Sequence, residues 1–316
     1  MSVTPDIVSA PDIEAAAKRL HGHVRRTPIL ALELGAFGCR AQLTLKLELL
    51  QHSGSFKARG AFNSLLSMDV PKAGVVAASG GNHGAAVAFA AQSLGHVAEI
   101  FVPSLASKAK IARIESFGAK VHVIPGAYAD ALKAAEAHQA STGAIGIHAY
   151  DAPATVAGQG TLARELDAQM THLDTVLVAV GGGGLIGGVA AWFGGRINVV
   201  GVEPKNCPTL ESAFRAKAPV DVDVSGIAAD SLGARRIGNL PFAIAKDFVE
   251  GVVLVEDDAI QAAQAALWRE LRLASEPGGA TALAALLSGA YKPAVGEKVA
   301  VILCGGNLDP ASINTI

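Results

Sequence analysis

Charge is sparse in this sequence, and neither sign dominates. Charged residues make up 17% of the chain and the formal net charge is -2. That removes the electrostatic basis for a nucleic-acid partner. Cysteine is scarce too: Cys39, Cys207 and Cys304 are odd in number and far apart. They suit a reducing cytoplasm better than a disulfide framework. No Cys or His spacing of the metal-binding kind occurs. Glycine breaks every apolar run well short of the roughly 18 residues that a membrane span needs. The opening "MSVTPDIVSAPDIEAAAKRL" lacks a basic segment followed by an apolar one, so no signal peptide is expected.

What the chain has is apolar residue, 51% of 316 positions, enough for a large core and two lobes. Short apolar runs alternate with helical patterns. "VVAAS" precedes "NHGAAVAFAAQSLG"; "AEIFVP" precedes "SKAKIARIESFG"; "KVHVI" precedes "YADALKAAEAHQA". Later "TVLVAV" leads into "LIGGVAAWF", "INVVGVEP" into "PTLESAFRA", and "KVAVILC" is the last strand. Such alternation predicts an α/β fold with parallel sheets covered by helices, in two groups. Ligands of such sheets bind beyond the carboxyl ends of the strands.

Three loops lie at such ends. "SGGNHG" (Ser79 to Gly84) starts a helix at Asn82 and His83, where free N–H groups attract anions. The same residues would also serve as an Asn-capped helix after a flexible turn. "GGGGLIGG" (Gly181 to Gly188) offers a concave row of N–H donors suited to a phosphate. "CGGN" (Cys304 to Asn307) ends a buried strand, and a buried cysteine also reads as a small hydrophobe. Within the second loop, Gly182, Gly184 and Gly187 match G-x-G-x-x-G, with Glu203 at the end of the next strand. An NAD-binding oxidoreductase is therefore an alternative, but it leaves "SGGNHG" and "SGSFKARG" without a role. In "HSGSFKARGAF", Lys57 sits where a glycine-serine turn becomes a helix, at the positive end of its dipole. It is either an ordinary exposed lysine or one placed there for chemistry.

Six motifs occur together: "SGSFKARGA", "SGGNHG", "AGQGT", "GGGGL", "GVEP" and "CGGN". In order and spacing the chain resembles the fold-type II pyridoxal-phosphate enzymes, in particular the serine/threonine dehydratase and serine racemase group. The resemblance covers nearly the whole length. It implies a two-lobed, tryptophan synthase β-like fold: residues 1–71 and 149–316 as the large cofactor-binding domain, 72–148 as the small mobile one. It implies pyridoxal 5′-phosphate carried on Lys57, with the phosphate on Gly181, Gly182, Gly183, Gly184 and Leu185. Asn82 would bond the 3′-oxygen, Phe56 would pack near the ring and Cys304 would face the ring nitrogen. Ser79, Asn82 and His83 would receive the substrate carboxylate. The implied activity is β-elimination of a β-hydroxy amino acid such as L-serine or L-threonine, giving a 2-oxo acid and ammonia. A cytoplasmic homodimer acting on a small amino-acid substrate is implied as well.

The chain departs from its relatives in places. Racemases of the group have a second serine where this chain has Gly80, which carries no acid or base. A dehydratase is thus favoured over a racemase. The family's Mg²⁺ or Ca²⁺ site would use Glu203, but its partner position holds Thr209. Asp230 reads as a cofactor-bordering or an ordinary turn residue, and Glu276 as a helix cap before Pro277. Tyr128 lies near the racemases' substrate-binding arginine, where an aromatic would suit a larger side chain such as that of an aryl-serine. Dehydration of 3-hydroxyaspartate stays open too. The chain ends nine residues after Asn307, so an appended regulatory domain is not expected.

Overall fold

The computed structural model describes residues 7–309, 311 and 312. Ten strands form two sheets. In chain order they are β1 (Ile29–Ala31), β2 (Gln42–Lys46), β3 (Val75–Ala78), β4 (Ala98–Pro103) and β5 (Lys120–Ile124). Then come β6 (Ile145–Gly146), β7 (Thr175–Ala179), β8 (Asn198–Pro204), β9 (Gly251–Val255) and β10 (Lys298–Ile302). The larger sheet has the order β1-β2-β10-β7-β8-β9 and the smaller β5-β4-β3-β6. Every pairing is parallel except β1 with β2. The α/β class and the helix-covered parallel sheets are as the sequence predicts.

Burial explains the strand sequences. All residues of β3 and β7 are buried, which requires unbroken apolar runs because helices cover both faces. The long connections are helices, as parallel pairing demands. Helix Pro153–Gln169 crosses helix Gly184–Phe193 where a side chain on Gly188 would come within 2.5 Å of the Gly160 nitrogen. The "AGQGT" glycine is thus a point of close backbone approach.

Four strands lack a counterpart in the sequence reading: β1, β2, β6 and β9. Strand β2 is the instructive one, because it ends in the fully buried Lys46. Its ammonium reaches Glu165 and Gln169, each at 2.8 Å, and the Thr27 carbonyl at 2.8 Å. Glu165 also pairs with Arg59 at 2.9 Å, and Arg59 holds Glu48 through two bonds of 2.7 and 2.9 Å. These two cations and two carboxylates tie β2 and helix Pro153–Gln169 to helix Lys57–Leu66. Buried charges persist only when paired in this way.

Candidate active site

The fold brings the three glycine loops to one cleft, each beyond the carboxyl end of its strand. Lys57 joins them from the first residue of helix Lys57–Leu66. Its loop is pinned to the end of β10. The Phe56 N–H donates to the Cys304 carbonyl at 3.0 Å, and Ser55 makes a β-bridge with Gly305. The cleft is lined by Phe56, Lys57, Asn82, Gly181, Gly182, Gly183, Gly184, Leu185 and Cys304. Tyr150, Ser231 and Glu276 are also part of its wall.

The Lys57 ammonium donates to the Ala149 carbonyl at 2.9 Å and lies 5.2 Å from the centre of the Phe56 ring. Burial lowers its pKa to about 8. A neutral amine is thereby accessible, which is the form that attacks a carbonyl. Next to it, His83 is buried, and its Nε2 lies 2.8 Å from the Ile147 carbonyl, to which it donates. Burial, then the charge on Lys57, push His83 down to about 3, so the ring is neutral. The Cys304 thiol is buried and pushed far up for the same reason, desolvation.

The glycine run after β7 is shaped as an anion cradle. Gly183 has a φ of 91°, in the left-handed region. A side chain on Gly182 would meet the Tyr150 ring at 2.2 Å. Among the described residues, no backbone carbonyl accepts from the N–H groups of Gly181, Gly182 or Gly183. They lead directly into the N-terminus of a ten-residue helix. A phosphate fits these donors and that dipole.

Asn82 and His83 open helix Asn82–Leu94, with Ser79 three residues before it, and of the three Asn82 lines the cleft. The Ser79 hydroxyl accepts the Gly81 N–H at 3.2 Å and keeps its own hydrogen for another acceptor. With the ring neutral and its one N–H given to Ile147, that residue has only its backbone N–H to donate to a carboxylate. Glu203 lies elsewhere. Its two oxygens accept the Leu210 and Glu211 N–H groups at 2.7 and 3.0 Å, capping helix Thr209–Ala216. Burial lifts its pKa to about 8. No group of three or more metal-ligating side chains exists among the described residues. In this structure both Glu203 oxygens serve as a helix cap.

Comparison with known proteins decides the family. Residues 20–305 match the family model described as "Pyridoxal-phosphate dependent enzyme". The chain belongs to that family. The cofactor that fits the cradle is accordingly pyridoxal phosphate. The chain is 36% identical to the phenylserine dehydratase of Ralstonia pickettii, over 97% of this chain and 96% of that one. It is 34% identical to the L-threonine ammonia-lyase of Thermotoga maritima, over 98% of this chain and 78% of that one. The structure of maize serine racemase superimposes with a TM-score of 0.92 at 32% identity, covering 98% of this chain and 96% of the other. The dehydratase and ammonia-lyase relatives place the chain among the lyases of the family, and its fold agrees with that of the racemase. Among the described residues no helix is long and apolar enough to cross a membrane.

Sequence reasoning missed Tyr150 and Glu276 in the cleft wall, and Asn307 and Arg59 beyond it. Tyr150 carries no motif. Glu276 was readable only as a cap before Pro277. Asn307 stood inside "CGGN" without an assigned role. Arg59, two residues after Lys57, gave no sign of the buried charge network that holds it.

Proposed function

We propose that this enzyme removes the β-hydroxyl and then the amine of an L-β-hydroxy amino acid, such as serine or threonine, releasing a 2-oxo acid and ammonia. The observation that carries the reading is the Lys57 amine, lowered to about 8, in a cleft closed on one side by the glycine cradle. When bound, pyridoxal phosphate supplies an electron sink that acidifies the hydrogen on the substrate's α-carbon. Lys57 would hold the cofactor, and its neutral Nζ would take that hydrogen as general base. The N–H groups of Gly181 to Leu185 bind the phosphate. The Ser79 hydroxyl and the N–H groups that open helix Asn82–Leu94 bind the substrate carboxylate. Asn82 and Phe56 line the same cleft, where Asn82 would bond the cofactor's 3′-oxygen and Phe56 would pack beside its ring.

Cys304 would stand beside the ring nitrogen as a neutral thiol and would leave the sink modest. That suits elimination, in which the departing hydroxyl carries electrons away. The hydroxyl leaves with a proton as water. Water then replaces the nitrogen, and ammonia departs.

A second reading concerns substrate size. Tyr150 lines the cleft, and Tyr128 lies close enough to raise the Tyr150 phenol further after burial has raised it. The Tyr150 ring in the cleft wall favours a substrate with an aryl β-group. Residues 72–148 form the small lobe in this reading, supported by their separate sheet. A homodimer in the cytoplasm completes it, and the free state of all three cysteines supports that compartment. The test is turnover on serine, threonine, 3-hydroxyaspartate and phenylserine, with 2-oxo acid and ammonia both measured. Equimolar release from at least one of them is expected, and no release from any would overturn the proposal.

A further inference from the structure

Asn82 is held from two sides by residues of the other sheet's half. Its Nδ2 lies 2.5 Å from Glu276 Oε1, and its Oδ1 lies 2.6 Å from Asn307 Nδ2. Asn307 Nδ2 also lies 2.8 Å from the Ser53 carbonyl. A backbone carbonyl can only accept, so this contact fixes which end of the Asn307 amide is nitrogen. That nitrogen must then donate to Asn82, which turns the Asn82 oxygen toward Asn307 and its nitrogen toward Glu276. Asn307 thus donates to both Ser53 and Asn82, and Asn82 donates in turn to Glu276. The Asn82 nitrogen keeps one further hydrogen, and Asn82 lines the same cleft as Lys57 and Cys304.

Two features show that the chain is built for this contact. Glu276 is 5% exposed and precedes helix Pro277–Leu287, which fixes its backbone. A side chain on Gly305 would come within 1.9 Å of Glu276 Oε1, so only glycine there lets the carboxyl reach Asn82.

We propose that Glu276 and Asn307 are positioning residues that orient the Asn82 amide, so that its remaining N–H faces the cofactor's ring oxygen. The inference rests on Asn82 as the contact to that oxygen. A donor there changes the electron distribution of the bound cofactor, hence its visible spectrum. A purely structural pair would leave that spectrum alone.

The test uses the reconstituted holoenzyme, reading the ratio of the long- to short-wavelength cofactor bands and the cofactor Kd. Asn82→Ala is expected to shift the ratio and raise Kd about tenfold, the scale of one hydrogen bond. Glu276→Ala is expected to move both in the same direction by about threefold or more. Adding it to Asn82→Ala should change nothing further, because it acts through Asn82. Glu276→Gln, which keeps an acceptor, should restore most of the loss. If Glu276→Ala does not fold, Asn307→Ala is the second variant and should behave alike. An unchanged spectrum and Kd in whichever of these folds, or full multiplication in the double variant, overturns the proposal alone. An unchanged Asn82→Ala removes its premise and overturns both.

Discussion

The Cys304 sulfur lies 3.5 Å from the Gly278 carbonyl and gives its hydrogen to it. The thiol therefore has no proton to offer a ring nitrogen, and burial keeps it from ionising. Its effect on a bound ring is that of a weak neutral neighbour. Cys304→Ser should retain most elimination activity. Cys304→Asp should protonate the nitrogen, strengthen the sink and raise transamination relative to elimination. Product analysis of both variants decides this. A Cys304→Ser protein as inactive as Lys57→Ala, with cofactor still bound, would give the cysteine a chemical role.

The lowered pKa of Lys57 predicts how the cofactor-free chain takes up pyridoxal phosphate. Only the neutral amine reacts, and burial brings its midpoint from 10.5 to about 8. The uptake rate should climb through about pH 8 and level off above it. Stopped-flow absorbance across the range measures the midpoint, and a rate still climbing steeply near pH 10.5 contradicts the assignment. Lys57→Ala should take up no cofactor covalently and show no turnover.

Elimination should far exceed racemisation. Gly80 carries no proton donor, and the space beside it is filled: a side chain there would lie 2.8 Å from the Ala106 methyl. Gly80→Ser alone should destabilise the fold by about 1–3 kcal/mol through overpacking. Paired with Ala106→Gly it should fold normally and gain D-serine formation. Chiral analysis beside pyruvate release is the measurement. D-serine appearing as fast as pyruvate in the parent protein would defeat the argument.

Arg59→Met should cost about 3–5 kcal/mol, because it leaves the buried Glu48 carboxylate and the half-buried Glu165 carboxylate with one cation removed. Denaturant midpoints test this, and a loss below about 1 kcal/mol would show the cluster relaxing freely. The pH dependence has a definite sign. Burial alone would raise the Glu165 carboxyl, but Arg59 and Lys46 outweigh it and hold it below its usual 4.5. A carboxyl depressed in the folded state stabilises above its unfolded pKa and loses that stabilisation on acidification. The parent's advantage over Arg59→Met should therefore be full at neutral pH and shrink once the pH falls below 4.5.

By itself, the sequence determined what is local. Apolar runs such as "TVLVAV", buried on both faces, could only be parallel strands, and glycines after β3, β7 and β10 marked the cleft. Lys57 stood out because a cation at a helix start is locally unfavourable. Strand β2 stayed hidden, since its Lys46 breaks the apolar pattern and finds Glu165 only across 119 positions. Tertiary structure alone decided the rest. It joined Asn82 to Glu276 across 194 positions, put Tyr150 over the glycine cradle and turned Glu203 into a helix cap. Nothing near these residues in the chain encodes such contacts. They exist because buried polar groups must be paired, and the fold decides which partner comes within reach.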